Sequence, residues 1–241
     1  MSTMTKPHAG PGSLDQAMLQ GIPFFAGLGR DELADILQAG HTHRLPKDTV
    51  LFEQGDAARS LHLVLQGRVK VVQTAADGQQ MVLRFVGPNE LAGVLALLGP
   101  GQTYPATVAA VLDCVLLSWN PAALEVLLRR FPQVALNAMR ALSGRTQEAH
   151  DRLREASAER VERRLALALL RLIRQAGVKE VDGSITIDFP LARQDLAEMA
   201  GTTLHTASRI LSGWEHAGIL TGGRMRVGVR DPHALVRITE S

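Results

Sequence analysis

The sequence has one cysteine, few aromatic residues and no long apolar run. A single thiol, Cys114, excludes a disulfide framework, and it also excludes a zinc site or iron–sulfur cluster ligated by the cysteines of one chain. No run approaches the roughly 18 apolar residues of a membrane span. The polar N-terminus lacks the apolar region of a secretory signal. We therefore expect a cytoplasmic protein with no membrane partner.

Neither sign of charge dominates the composition. The chain has 26 Lys and Arg against 24 Asp and Glu, a net charge of +2, so any surface that binds nucleic acid must be local. Hydrophobic residues make up 46% of 241 residues, which is enough for a core, and with only 4% aromatics that core must be aliphatic. Domains have roughly 100–200 residues each, so two modest domains fit this length better than one.

The hydrophobic periodicity changes twice along the chain. Residues 1–19 are predicted as a flexible tail. Residues 20–130 contain a helix at Arg30–Ala39 and then short strands of period two with turn glycines, which predict an antiparallel roll or barrel. Residues 131–158 return to helical spacing and predict one long helix, and residues 159–241 form a compact C-terminal domain.

The long helix has a stripe of apolar and small residues at alternating spacings of three and four. Such a stripe is typical of a coiled-coil seam and predicts a homodimer. The alternative is a helix that packs on its own domain. The predicted interface residues are Leu136, Met139, Leu142, Ser143, Thr146, Ala149 and Leu153.

The segment from Pro190 to Leu220 has the pattern of a helix-turn-helix. Gly201 permits the tight turn, and Thr202 or Thr203 can cap the second helix. The second helix would bury one apolar stripe and expose a guanidinium, an imidazole and hydroxyls, groups that can contact bases and phosphates. The buried stripe is Ala207, Ile210, Leu211 and Trp214. The alternative is an ordinary helical hairpin with a solvated polar face.

A short hairpin is predicted after the second helix. Gly222-Gly223 separates the strand signals Ile219-Leu220 and Met225–Val229. This hairpin can act as a wing against the nucleic-acid backbone.

Five stretches, in this order, resemble the CRP/FNR superfamily of bacterial transcription regulators. They are Phe24–Leu28, Leu51–Asp56, Leu65–Lys70, Arg193–Ala197 and Thr206–Ser212. The resemblance implies an α+β fold with an N-terminal cyclic-nucleotide-binding-like β-roll (a double-stranded β-helix), a dimerisation helix and a C-terminal winged helix-turn-helix. It also implies a homodimer that binds double-stranded DNA at an inverted-repeat operator, with RNA polymerase as a partner if the protein is an activator.

The resemblance also assigns roles to single residues. It implies that Arg209 contacts a guanine and that Arg193 contacts a phosphate. His205 departs from the family, which usually has Glu at this position, so the preferred operator is expected to differ there. The predicted DNA contacts are Arg193, Thr202, Thr203, His205, Thr206, Ser208, Arg209 and Ser212.

The effector is harder to predict. Family members that bind cyclic AMP have a Gly-Glu pair and an Arg-Ser pair in the roll, and here the matching places hold Gly93-Val94 and Tyr104-Pro105. No arginine lies between Arg84 and Arg129, and a buried phosphate without a cationic partner is costly. We therefore expect no response to cyclic AMP, and a single cysteine excludes an FNR-type iron–sulfur cluster.

Haem is a possible cofactor, because residues 104–110 resemble the branch that regulates denitrification and nitric-oxide responses. Haem needs an axial ligand, commonly His. His150, beside the seam, is the tentative ligand, with a polar interface residue as the alternative. The predicted effector pocket is Gly93, Val94, Tyr104, Pro105 and His150.

The remaining residues of this kind have simpler interpretations. His41, His43 and His62 are expected at the surface. Met81 and Met139 are expected in the core, and Cys114 as a buried, inert thiol.

Three other functions are alternatives to an effector-controlled regulator. A regulator of the same fold can act without an effector, and a cyclic-nucleotide-binding signalling module can carry a merely structural tail. An enzyme is excluded, because the sequence has no nucleophile–base pair in a motif context, no Gly-rich phosphate loop and no His-Glu-x-x-His motif.

Overall fold

The computed structural model describes residues 19–158, 160–223 and 225–240, and only the backbone of residues 151–158. Most of the predicted tail, residues 1–18, lies outside the described residues. The described part has seven α-helices and 12 strands in three antiparallel sheets, which confirms the predicted α+β class.

The N-terminal half is a roll of two antiparallel sheets. A 3-10 turn at Pro23–Phe25 and helix α1 at Arg30–Ala39 precede it. Its strands are β1 (His41–Leu45), β2 (Val50–Phe52), β3 (Leu61–Gln66), β4 (Val69–Thr74), β5 (Gln80–Val86), β6 (Leu91–Ala92), β7 (Thr107–Ala110) and β8 (Cys114–Trp119). The two sheets have the strand orders β1-β8-β3-β6 and β2-β7-β4-β5, and a 3-10 helix at Val94–Leu98 follows β6.

The β4–β5 hairpin departs from simple alternation. Val71 pairs with Arg84, but the next residue, Val72, pairs with Val82, so a bulge shifts the register. As a consequence Val82 and Phe85 are both buried. The prediction that Met81 lies in the core was wrong, because Met81 is 44% exposed near the start of β5.

Two helices follow the roll. Helix α2 spans Pro121–Arg130 and is capped by Asn120, whose side chain accepts from the Ala123 amide at 2.9 Å. Helix α3 spans Pro132–Ala158 and buries Val134 and Ala138 against the roll. Asn137, also buried, donates to backbone carbonyls of the N-terminal turn at 2.9 Å, which fixes the start of α3.

The C-terminal domain contains four helices and four strands. Its elements are α4 (Val161–Ala176), β9 (Gly177–Lys179), β10 (Ile185–Ile187), α5 (Arg193–Met199), α6 (Leu204–His216), β11 (Leu220–Gly223), β12 (Arg226–Val229) and α7 (Pro232–Glu240). The sheet order is β11-β12-β10-β9. The placement of Gly222-Gly223 between two strands was wrong, since both glycines belong to β11.

The roll and the C-terminal domain share a core. Val72, Val82 and Phe85 of the β4–β5 hairpin belong to the same buried cluster as the apolar faces of α4, α5 and α6. The rings of Phe85 and Phe189 lie 4.7 Å apart between their centroids. Strand β5 therefore contacts the C-terminal domain directly.

Candidate nucleic-acid interface and effector cavity

Helices α5 and α6 form the predicted helix-turn-helix. Gly201 has a φ of +60° in the turn, a conformation that costs glycine little. Of the two candidate caps, Thr203 is the residue that caps α6, because its Oγ1 accepts from the Thr206 amide at 3.2 Å.

Helix α6 has one buried and one exposed face, as its spacing predicts. Of the predicted buried stripe, Ala207, Leu211 and Trp214 are buried and Ile210 is half-buried. The Trp214 indole donates to Glu162 of α4 at 3.1 Å. The predicted contact residues divide into two groups. Thr203, His205 and Arg209 are exposed, while Thr202, Thr206, Ser208 and Ser212 are half-buried.

Arg193 is placed differently from the other predicted contacts. Its Nη2 donates to both carboxylate oxygens of Glu215 at 2.8 Å, and its Nη1 donates to the Ser208 carbonyl and the Ser212 hydroxyl at 3.2 and 2.9 Å. This guanidinium therefore joins the first residue of α5 to three successive turns of α6. A phosphate contact through Nη1 or Nη2 of Arg193 would have to share donors with these bonds.

Glu215 is a residue that the sequence interpretation missed. The only signal for it is Gly222 on the facing strand, where a Cβ would collide with the Glu215 carboxylate. Gly222 thus leaves room for the pair that Glu215 forms with Arg193.

The predicted dimer residues lie on two sides of α3. Leu136 and Met139 are 46% and 56% exposed, and Ser143 is exposed beside them, so the expectation of Met139 in the core of this chain was wrong. Leu142 is half-buried and contacts the roll. Thr146 and Ala149 are exposed and also line a cavity under the helix. The side chain of Leu153 lies outside the described residues.

A cavity of about 690 Å³ lies between the β4–β5 side of the roll and α3. All five residues predicted for the effector pocket line it, although they come from separate parts of the chain. They are Gly93, Val94, Tyr104, Pro105 and His150. Its other walls are mostly aliphatic side chains.

The cavity also contains charge that the sequence interpretation did not place there. Arg84 of β5 and Arg145 of α3 both line it. The sequence has no arginine between residues 84 and 129, but the cavity still contains two guanidinium groups. The prediction that a phosphate here would lack a cationic partner was therefore wrong. The physical reason is that α3 packs beside the roll and places the Arg145 guanidinium in the cavity wall.

Tyr104 is fixed within the cavity wall. Its ring stacks on Phe52 with centroids 3.7 Å apart, and its hydroxyl donates to the Ser60 carbonyl and accepts from the Ser60 amide at 2.8 and 3.0 Å. Burial raises the pKa of Tyr104 above its usual value. Gly93, at a φ of +77°, lies so close to Ser60 that a Cβ there would collide with the carbonyl.

His62 is buried, so its predicted surface position was wrong. It is 7% exposed, because β3 is a central strand whose second face is covered by Phe52, stacked at 5.8 Å. Its Nδ1 is 2.7 Å from the Ser118 hydroxyl. Burial, followed by the charges of His43 and His41, lowers the pKa of His62 to about 4. His41 is exposed as predicted, whereas His43 is half-buried.

Cys114 is a buried thiol, as predicted. Its Sγ donates to the carbonyls of Arg68 and Leu112, and burial raises its pKa. The described residues contain no cluster of three or more His, Cys, Asp or Glu side chains that could hold a metal ion. None of the described helices combines the length and apolarity needed to cross a bilayer.

Two family models match the chain. The cyclic nucleotide-binding domain matches residues 42–131, and the Crp-like helix-turn-helix domain matches residues 163–238. The first match covers most of the roll, and the second covers α4 to α7.

Similar proteins give the same family, and solved structures give the same fold. The cyclic AMP receptor protein of Thermus thermophilus is 34% identical over 91% of this chain and 98% of its own length. A CRP-like cAMP-activated global transcriptional regulator of Mycobacterium tuberculosis is 24% identical over 88% and 94%. The structure of FixK2 from Bradyrhizobium japonicum has a TM-score of 0.72 at 23% identity over 83% and 96%, and that of the Thermus thermophilus catabolite activator protein a TM-score of 0.52 at 33% identity over 90% and 98%. The chain therefore belongs to the CRP/FNR superfamily and is a DNA-binding transcriptional regulator, not an enzyme.

Proposed function

We propose that the protein acts as a homodimer that binds an inverted-repeat operator and is controlled by an effector in the cavity beside α3. The observation that carries this proposal is the position of α3, which borders the cavity on one side and exposes Leu136 and Met139 on the other. An effector that moves α3 would change how two copies pair, and this would reposition the two recognition helices.

The exposed stripe supports the dimer. Leu136, Met139 and Ser143 follow helical spacing on the side of α3 that faces away from the roll. Adjacent exposed apolar side chains on one helix face are typical of an interaction site, and a second copy offers the same stripe. Twofold symmetry then requires an operator with two inverted half-sites about one helical turn apart. If the bound dimer activates transcription, RNA polymerase is a further partner.

Cyclic AMP is not the effector in this proposal, although the Thermus thermophilus relative is named a cyclic AMP receptor protein. Val94 lines the cavity with an apolar side chain where a ribose hydroxyl needs an acceptor. The Tyr104 hydroxyl is already hydrogen-bonded to Ser60, and Pro105 has no side-chain donor for a phosphate. Arg84 and Arg145 could hold a phosphate here, but the base and ribose of the nucleotide would be desolvated against aliphatic walls without replacement hydrogen bonds.

Haem is the second candidate, because His150 lines the cavity. The His150 imidazole could hold the iron of a haem, and Arg84 and Arg145 could hold its two propionates. When bound, haem would supply an iron that takes up a diatomic gas. Protein purified with haem supplied should then show an absorption spectrum that His150→Ala changes, and an apoprotein spectrum would remove haem from consideration.

The central test combines sedimentation with selection of binding sites from random DNA. We expect sedimentation at twice the chain mass and recovery of inverted repeats. A monomer at micromolar concentration, or recovery of single half-sites only, would contradict the proposed dimer. Calorimetry with cyclic AMP tests the effector separately, and tight binding would contradict its exclusion.

A further inference from the structure

We propose that the effector is a small monocarboxylate with an apolar body, whose carboxylate binds between Arg84 and Arg145. This inference rests on the proposed function, in that it takes the cavity beside α3 as the effector site. It names the chemical class that this particular lining selects.

The body of the cavity selects an apolar ligand. Its volume of about 690 Å³ lies in the range of small-molecule sites, which is roughly 300–1,000 Å³. Val71, Val86, Val94 and Leu142 are among its aliphatic walls, and the stacked Phe52–Tyr104 pair adds aromatic surface. A polar body would lose its hydration here without regaining hydrogen bonds.

Arg84 supplies a donor that the protein itself does not use. Its Nε is buried and has no hydrogen-bond acceptor among the described residues. Its Nη2 makes a long contact of 3.4 Å with Glu90, whose other oxygen accepts from the Gly87 amide at 2.7 Å. A buried donor without an acceptor is costly, and a turn of the guanidinium toward the cavity would let a ligand oxygen accept from it and recover that cost.

Arg145 provides a second guanidinium from the opposite wall. Its Nη2 donates to the Leu91 carbonyl at 2.9 Å. Burial and then the charge of Arg84 lower the pKa of Arg145 to about 10, although Glu148 and Glu90 act in the other direction. Glu90 pairs with Arg84, and Glu148 also lines the cavity, so the two arginines bind a ligand carboxylate in a site that contains one protein carboxylate of its own.

One carboxylate satisfies both groups. Its two oxygens accept several charge-assisted hydrogen bonds and can lie between two guanidinium groups. A neutral ligand would leave the Arg84 Nε donor without a strong acceptor. A ligand with several charges would have to hold further charges against the aliphatic walls.

Calorimetry on the full chain tests the ligand class. The ligands are decanoate and phenylbutanoate, each beside its neutral primary amide, with cyclic AMP as a further ligand. We expect at least one acid to bind about tenfold or more tightly than its amide, and Arg84→Met and Arg145→Met each to lower that affinity about tenfold or more. Arg44→Met, at an exposed arginine of β1 outside the cavity lining, should leave the affinity unchanged.

The outcomes separate this inference from the proposed function. The inference is overturned if neither acid binds, if the amides bind as tightly, if both arginine variants bind like the wild type, or if cyclic AMP binds more tightly than either acid. Melting curves identify a variant that fails to fold, and Arg145→Met alone then decides. If an acid binds with arginine dependence but leaves DNA affinity unchanged, the ligand class stands and effector control fails.

Discussion

Arg68 of the roll donates hydrogen bonds to both carboxylate oxygens of Asp188 in the C-terminal domain, at 3.1 and 3.3 Å. Arg68 is 5% exposed, and its guanidinium lies 4.4 Å from the centroid of the Phe189 ring. A second ion pair joins Lys70 to Asp195 at 3.3 Å. The roll and the C-terminal domain are thus joined by charged contacts around a shared apolar core.

Asp188→Asn should loosen this contact. The substitution removes the charge that compensates a buried guanidinium, but Asp188 is itself partly exposed, so water replaces some of the interaction. We expect the free energy of unfolding to fall by about 1–2 kcal/mol in urea titrations. The matched control is Asp35→Asn, which breaks the exposed pair with Arg130 and should cost less than about 0.5 kcal/mol. Equal losses from the two variants would argue against a stabilising role for the Arg68–Asp188 contact.

Met139→Glu should weaken the homodimer. The carboxylate would lie in the proposed seam next to the same residue of the second copy, without a cationic partner. Sedimentation should show dissociation at concentrations where the wild type stays dimeric. Val126→Glu is the control, because Val126 is similarly exposed on α2 and lies outside the stripe. Loss of the dimer in both variants would point to a general effect of surface charge.

Replacing Arg209 and Arg193 by alanine should have different effects on DNA affinity and on stability. Arg209 is exposed, so Arg209→Ala should leave the melting temperature unchanged while specific DNA binding loses about 1–3 kcal/mol per half-site. Arg193→Ala leaves the half-buried Glu215 carboxylate without its partner. The substitution should lower the free energy of unfolding by about 1–3 kcal/mol, and it should lower the affinity for all DNA sequences by a similar factor. Fluorescence anisotropy with operator and random duplexes, together with melting curves, measures both effects. Unchanged stability of Arg193→Ala would contradict a stabilising role for the Arg193–Glu215 pair.

Periodicity was sufficient to predict the elements with strong one-sided patterns. Helix α1 has the predicted bounds Arg30–Ala39, and α6 buries Ala207, Leu211 and Trp214 as its spacing requires. Strand β9 could not be predicted in this way, since its three residues are all exposed and show no alternation.

The missed features of the site depend on contacts between distant parts of the chain. His62 looked exposed because its neighbours alternate, yet β3 is covered on both faces, and a one-sided pattern cannot reveal that. Arg84 and Arg145 line one cavity only because α3 lies against the roll. The pair between Arg193 and Glu215 likewise joins two helices whose relative position no local pattern sets.

Stability should fall on mild acidification because of His62. Its pKa of about 4 in the folded protein lies below the ordinary value of 6.5, so the unfolded chain binds the proton first as pH falls. The stabilisation from neutral His62 is fully present above pH 6.5 and is lost progressively as the pH falls toward 4. Between pH 7 and pH 5 the wild type should lose about 2 kcal/mol from this group.

His62→Gln is the variant for this measurement, because glutamine can still hydrogen-bond to Ser118 but does not titrate. Urea titrations at both pH values should show a smaller loss in the variant than in the wild type. His41→Gln, at an exposed position, should retain most of the wild-type dependence. An identical loss in His62→Gln and the wild type would assign the acid sensitivity to other groups.

His205 should change the operator sequence that the protein prefers. It is exposed near the start of α6, where base contacts are made in helix-turn-helix proteins. A carboxylate at this place accepts from a cytosine amino group, whereas an imidazole can donate to a purine N7 or to a phosphate. Selection from random DNA should therefore recover half-sites that differ from those of His205→Glu at one base pair, with equal preference at the base pair contacted by Arg209. If the two proteins select the same half-site, His205 does not contact bases. If it contacts a phosphate instead, His205→Ala should lower the affinity for all DNA sequences equally.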